Sequence, residues 1–182
     1  MLTESLQNQQ PRNRLSVATI KMSEQGTNPK LFSLRPASDE DKELCYSIHR
    51  ASMLDIVAQV FSWDEDDQRT RFAREWDPSE LQIVVVDDTE VGVIAVVYRP
   101  DHILLSGIEL VPAFQGRGIG TALIKGLQSV ATKRCLPLHL GVFVPNKRAK
   151  ALYDSLGFKE IERSEIKIQM RWDSGGQDVS SS

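Results

Sequence analysis

The spacing of apolar positions changes several times along the chain, and each change marks a switch between strand and helix. Residues 31–35 read as a short strand that stops at Pro36. Ser38, followed by Asp39, Glu40 and Asp41, supplies an N-cap and an acidic first turn for a helix reaching about Val60, with Leu44, Ile48, Ala51, Met53 and Leu54 on its apolar side. A second helix is predicted over residues 62–76. It ends at Asp77-Pro78, because the residue before a proline is pushed out of the α region. The period then drops to two: β-branched runs over residues 81–86 and 91–98 flank a turn at residues 87–90, as in a hairpin. Residues 102–111 make the next strand. Leu123, Ile124, Leu127 and Val130 return to helical spacing within residues 119–133. A strand over 138–144, a helix over 147–156 and one closing strand over about 161–172 complete the series. The order β-α-α-β-β-β-α-β-α-β predicts an α/β (α+β) fold with a mixed central sheet flanked by helices.

Composition narrows this picture. At 182 residues, 41% hydrophobic and 26% charged, the chain fits one domain able to bury its own core. Residues 1–30 are rich in Gln, Asn, Ser, Thr and Lys and residues 174–182 in Ser and Gly, so both are expected to be flexible ends around a folded region at 31–173. A net charge of −3 argues against nucleic acid or an anionic membrane surface as partner. No apolar run approaches the roughly 18 residues that span a bilayer, and the N-terminus lacks the continuous apolar core of a signal peptide, so a cytoplasmic protein is expected. Cys45 and Cys135 show no metal-ligand spacing and read as buried, reduced thiols, while His49, His102 and His139 have no pairing pattern that would hold a metal.

The chemistry concentrates between the strand at 102–111 and the helix that follows. There Gln115-Gly116-Arg117-Gly118-Ile119-Gly120-Thr121 alternates three glycines with other residues. Without a Cβ the backbone approaches a ligand closely and leaves successive N–H groups open, and the positive end of the next helix adds to them, so the segment reads as an anion cradle suited to a pyrophosphate. A dinucleotide fingerprint would need glycine or alanine where Thr121 stands, and no Gly-Lys-Ser/Thr follows for a P-loop.

Gln115, Gly118 and Gly120 stand at the fixed positions of a Gln/Arg-x-x-Gly-x-Gly/Ala loop. Residues 146–158 follow the pattern Asn-x-x-Ala-x-x-Leu-Tyr-x-x-x-Gly-Phe. Through these two motifs, in this order, the chain resembles the GNAT superfamily of N-acetyltransferases, over essentially the whole of its patterned length. The resemblance implies acetyl-CoA as co-substrate and direct attack of an amine on its thioester. It implies that Leu110 and Val111 hold the pantetheine arm by backbone pairing, and that Gln115, Gly116, Arg117, Gly118, Ile119, Gly120 and Thr121 receive the pyrophosphate. It also implies that Tyr153 protonates the leaving thiolate and that Asn146 contacts the cofactor arm, although capping the helix after it would equally explain Asn146.

Two further assignments come from the residues themselves. Glu109 is an acid in an otherwise apolar strand, beside the expected thioester; partial burial would raise its pKa and make it a base, directly or through water, whereas an edge-facing position would leave it a solvated glutamate. Trp63, Asp64 and Glu65 offer a π face and negative charge to a cationic amine, though acids after Ser62 also suit a helix N-terminus. The expected acceptor is a primary amine of a small molecule or peptide, and a homodimer is compatible with this. The alternatives are a protein N-terminal or lysine acetyltransferase, or a non-catalytic acyl-CoA-binding regulator.

Overall fold

The computed structural model describes residues 32–174; the flexible segments expected at 1–30 and over most of 174–182 lie outside the described residues. Seven strands, β1 (Ser33–Pro36), β2 (Leu81–Val86), β3 (Thr89–Tyr98), β4 (Ile103–Leu110), β5 (Leu138–Phe143), β6 (Lys159–Arg163) and β7 (Lys167–Trp172), join in one sheet of order β1-β2-β3-β4-β5-β7-β6. Only β4 and β5 are parallel, because the long helix between them carries the chain back across the sheet. Four helices cover the faces: α1 (Lys42–Val57), α2 (Glu65–Glu75), α3 (Ile119–Arg134) and α4 (Lys147–Ser155).

Alternation along the strands sorts the side chains between two cores. Val84, Ile94, Val96, Leu105 and Leu140 pack with Leu123, Ile124 and Leu127 of α3 and with Tyr153 and Phe158 in the larger one. Ile83 and Val93 point the other way and pack with Cys45 and Ile48 of α1, against Phe72 and Trp76 from the end of α2. A sheet covered on both faces explains why its strands read as nearly continuous apolar runs. Burying a large aliphatic side chain stabilises by roughly 1.5–3 kcal/mol, so Ile119, Leu123, Ile124 and Leu127, each 2% exposed or less, hold α3 far more firmly than helix propensity alone could.

Several expected boundaries are corrected. The first helix is preceded by a 3-10 turn at Asp39–Asp41 and ends at Val57, with Ala51 exposed rather than on its apolar side. Helix α2 begins at Glu65, not near Ser62, because Asp64 is the residue whose Oδ1 accepts from Asp67 N at 2.8 Å. The β2–β3 turn is only Asp87-Asp88, both at positive φ (46° and 59°), so β3 starts at Thr89; this is the tight turn that a twisted hairpin prefers. The single closing strand is a hairpin, β6 and β7, because the Ser164 hydroxyl accepts from Lys167 N (2.9 Å) while Ser164 N donates to Lys167 O (2.8 Å). Cys45 is buried as expected, but Cys135 is exposed: it ends α3 in a left-handed conformation at φ 52°.

The feature that positions the site is an opening in the sheet. Strands β4 and β5 pair only at Ile103–Leu138, Leu104–His139 and Leu105–Leu140. A β-bulge at Ser106 then shifts β4 against β3, where Ala95 faces Gly107 but Val96 faces Leu105. From Gly107 to Leu110, β4 stays paired with β3, and from Ser106 onward it has no pairing with β5, while β5 from Gly141 to Phe143 pairs with β7 alone.

Candidate active site

The open edge of β4 leads into the glycine loop. Val111 N donates to Val91 O (2.9 Å), the chain makes a 3-10 turn at Pro112–Phe114, and Gln115 Nε2 donates back to Leu110 O at 2.8 Å. Arg148 of α4 donates from Nη1 to Gln115 Oε1 at 3.0 Å, so both motif segments are tied together through one amide side chain. Gly116 and Gly118 stand at φ 77° and 82°, where an L side chain is strained. A Cβ on Gly116 would also come within 3.0 Å of Arg148 Nη2. Gly118 is the N-cap of α3 and offers no side chain to its N–H groups. The first helical bond is Ala122 N to Gly118 O (3.0 Å), which leaves the N–H groups of Ile119, Gly120 and Thr121 at the positive end of the helix dipole. Arg117 lies over the Phe114 ring at 4.6 Å and Gly120 faces Leu152 of α4. Unpaired β4 backbone running into three free N–H groups fits a pantetheine arm followed by a pyrophosphate.

Glu109 lies on the face of the sheet covered by α1. Its Oε1 is 3.0 Å from Nδ1 of His49, and both side chains are largely withdrawn from water, at 18% and 23% exposure. Cys45 and Ile48 bury α1 against the sheet, and that anchoring turns His49 towards β4. Tyr46, Trp63 and Phe72 surround its ring, with centroids 6.5, 6.2 and 5.8 Å away. Burial opposes protonation of His49, but the hydrogen bond and charge of Glu109, with a further contribution from Glu75, overcome it and raise its pKa above the usual histidine value.

The aromatic and acidic segment before α2 supports this wall from behind. Asp64 is engaged as the α2 cap. Glu65 accepts from Trp63 Nε1 (3.0 Å), Tyr46 OH (2.9 Å) and Arg50 Nε (3.0 Å), and these donors, Trp63 foremost, bring its pKa down to about 2. A carboxylate held so strongly as the anion is a poor proton acceptor.

A cleft of about 310 Å³ opens beside the pair. Its wall includes His49, Met53 and Phe61 on one side, Phe72 and Trp76 of α2 on another, and Ser106 and Phe143 from the two sides of the sheet opening. Trp63, Asp64 and Glu65 are not part of its wall; Trp63 reaches it only through the ring of His49. Asn146 caps α4, its Oδ1 accepting from Ala149 N at 3.1 Å. Tyr153 sits in the larger core at 6% exposure, beside Phe158, and burial alone pushes its pKa up to about 12, so the hydroxyl keeps its proton at neutral pH. Buried Cys45 is likewise pushed up to about 11, chiefly by burial, and stays a thiol.

Sequence reasoning missed His49 and the α2 face that carries Phe72 and Trp76. The one signal was the i, i+3 pair Tyr46 and His49 on the buried side of α1. Nothing local in the sequence joins His49 to a residue 60 positions away.

A sheet opened between two parallel strands, with a glycine loop at the helix that follows, defines an acyl-transfer type of fold. The chain belongs to the acetyltransferase (GNAT) family, whose model matches residues 45–158, and acetyl-CoA is the co-substrate of that family. Two curated relatives are both thialysine N-epsilon-acetyltransferases. The mouse (Mus musculus) protein is 36% identical over 73 residues, 40% of this chain and 43% of the relative; the bovine (Bos taurus) protein is 40% identical over 69 residues, 37% and 41%. The chain therefore spans about two fifths of the length of the curated relatives it matches. Among solved structures, the PaiA N-acetyltransferase from Thermoplasma acidophilum in complex with coenzyme A aligns with a TM-score of 0.66 at 18% identity, covering 78% of this chain and 98% of that one. The ribosomal-protein-S18-alanine N-acetyltransferase from Escherichia coli aligns at 0.61 and 21%, covering 83% and 99%. At such identities these likenesses speak for the fold.

Proposed function

We propose that this chain is an acetyl-CoA-dependent N-acetyltransferase acting on a primary amine of a small molecule. The observation that carries the reading is the unpaired edge of β4 from Ser106 to Leu110, which carries Glu109 with its partner His49 and runs on into the glycine loop. Acetyl-CoA supplies the activated acyl carbon and a thiol leaving group. The backbone N–H of Leu110 orients the arm, while Val111, expected to share that task, has its N–H bonded to Val91 O and its carbonyl accepting from Phe114 N and so ends the edge; the loop from Gln115 to Thr121 takes the pyrophosphate on backbone N–H groups. Glu109 removes a proton from the incoming ammonium, with His49 sharing it, so that the free amine forms the new C–N bond as the C–S bond breaks. The Tyr153 hydroxyl gives its proton to the departing sulfur. Trp63 and Glu65 hold the wall behind His49, and Asn146 fixes the start of α4.

A cleft of about 310 Å³ suits a small acceptor. The two curated relatives named above point the same way, towards a terminal amine on an amino-acid side chain. The test is release of CoA thiol over a panel of amines, amino acids and peptides, with Gly118→Asp as the control that places a carboxylate among the α3 N–H groups. Thiol release that needs an amine and is lost in the control supports the reading. Tight CoA binding without release over any acceptor would show a binding module instead.

A further inference from the structure

The residues of α2 that face the cleft are Gln68, Arg71, Phe72 and Glu75, spaced to lie on one side of the helix, followed by Trp76 at its C-cap. Two of them carry opposite charges one turn apart. The other arginines of α1 and α2 each meet an acid: Arg50 meets Glu65 (3.0 Å), Arg69 meets Glu43 (3.0 Å) and Arg74 meets Glu75 (3.4 Å). Arg71 has no acid partner among the described residues, although Glu75 stands four positions on. An arginine placed N-terminal to a glutamate at this spacing is the weaker orientation for an ion pair. Among the described residues Glu75 has only the long, exposed contact to Arg74 as an ion pair, and it is close enough to His49 to help raise the histidine pKa. Asp77 and Glu80, just before β2, add two more acids to the same wall. The cleft thus presents a guanidinium beside carboxylates and the rings of Phe72 and Trp76, and its wall includes His49, which contacts Glu109.

We infer that Arg71 is a specificity-determining residue that binds a carboxylate of the acceptor, so that the acceptor is an amino acid whose head group rests on α2 while a distal amine reaches Glu109. The inference rests on the acetyltransferase reading. A guanidinium fork takes a carboxylate through two parallel N–H bonds. Glu75, beside it, suits the α-ammonium of the same head group. A simple diamine would leave Arg71 facing a second cation, which disfavours it. Among amines that the acids of the wall attract, the guanidinium of Arg71 therefore selects those that also carry a carboxylate.

The matched acceptors L-lysine and cadaverine, which differ only in the carboxylate, test this on the full chain. Wild type is expected to favour lysine by about tenfold or more in kcat/KM, mainly through KM. In Arg71→Gln the preference is lost because the KM for lysine rises while the KM for cadaverine, whose second ammonium no longer faces a guanidinium, falls; Arg71→Glu reverses the preference and Arg71→Lys keeps part of it. Arg71 is exposed, so the variants should melt and bind CoA as wild type does. Equal lysine-to-cadaverine ratios in wild type and Arg71→Gln would overturn the role of Arg71 and leave the acetyltransferase reading standing. Absence of thiol release with either amine would overturn that reading instead. In that case calorimetry of L-lysine binding to the CoA-loaded protein decides on Arg71: binding lost in Arg71→Gln supports it, and equal or absent binding overturns it.

Discussion

If Glu109 takes the proton of an incoming ammonium, that proton has two places to rest, because Oε1 lies 3.0 Å from His49 Nδ1. The acidic limb of the kcat/KM profile should therefore belong to the pair and not to either residue. Since Glu109 raises the His49 pKa, Glu109→Gln should lower it, which an NMR titration of the imidazole reads directly, and should cost roughly 10²- to 10⁴-fold in kcat/KM near pH 7. An unchanged imidazole titration would break the coupling; an unchanged rate would move proton removal to water. The same pair shapes stability. A folded-state pKa above the unfolded value means that the stabilisation is fully present below about pH 6.5. It is lost as pH rises through the raised value, and the glutamine variant should lack that pH dependence in its Tm. Tyr153 behaves differently, because burial alone holds its proton. Tyr153→Phe should lower kcat by about 10²-fold and leave the Kd for acetyl-CoA little changed, and a kcat equal to wild type would reduce the residue to packing. Glu109 was legible in the sequence as a lone acid in an apolar strand. His49 was not, because its meaning comes from a partner brought alongside by tertiary packing.

Among the elements, the helix-forming and strand-forming runs were readable because burial on both faces of the sheet imposes the period directly. The boundaries were less so, since they depend on single hydrogen bonds. Asp64 displaces Ser62 as the cap of α2, Asp87-Asp88 turns the hairpin without the Asn-Gly or Asp-Gly signature, and the Ser164 hydroxyl splits the last strand in two. The glycine loop was legible as a turn of glycines into the start of α3, whereas its fastening by Gln115 and Arg148 needed the folded chain. Gly92 shows how an element's position can hang on one atom. It pairs with Val84 on one side and Leu110 on the other, and a Cβ there would collide with the Glu109 carbonyl and the Leu110 side chain. Gly92→Ala should push β4 away from β3 at Leu110, where its free edge ends. Overpacking of this kind typically costs about 1–3 kcal/mol, and the displaced edge should weaken acetyl-CoA binding as well. Denaturant unfolding and calorimetry check both effects, and a variant as stable as wild type with the same CoA affinity would show that β4 has more room than the structure gives it.

For the molecule as a whole, the consequence of the opening is that β1–β4 and β5–β7 are joined in the sheet by three register pairs at one end. The helices α3 and α4 close the larger core beneath, but the edge of β4 from Ser106 to Leu110 keeps backbone groups without a strand partner. The pattern of apolar residues could not reveal this, because both strands look equally β-forming up to their ends; the bulge at Ser106 and the divergence from β5 arise only when the sheet is assembled. If the pantetheine arm pairs with that edge and the pyrophosphate with the α3 N-terminus, acetyl-CoA bridges the two halves and should stabilise the whole domain. At a concentration one hundred times its Kd, binding contributes about 2.7 kcal/mol, and at roughly 2–4 °C per kcal/mol for a domain of this size the Tm should rise by about 5–11 °C. The gain should be absent in Gly118→Asp. Hydrogen exchange locates the effect more sharply: amides within Ser106–Leu110 that point to the open side, together with those of Ile119, Gly120 and Thr121, should slow on addition of acetyl-CoA, while amides in the β6–β7 hairpin change little. Protection confined to the loop, with none along β4, would mean that the phosphates are placed correctly and the arm lies elsewhere; protection at neither would remove the bridging role of the ligand altogether.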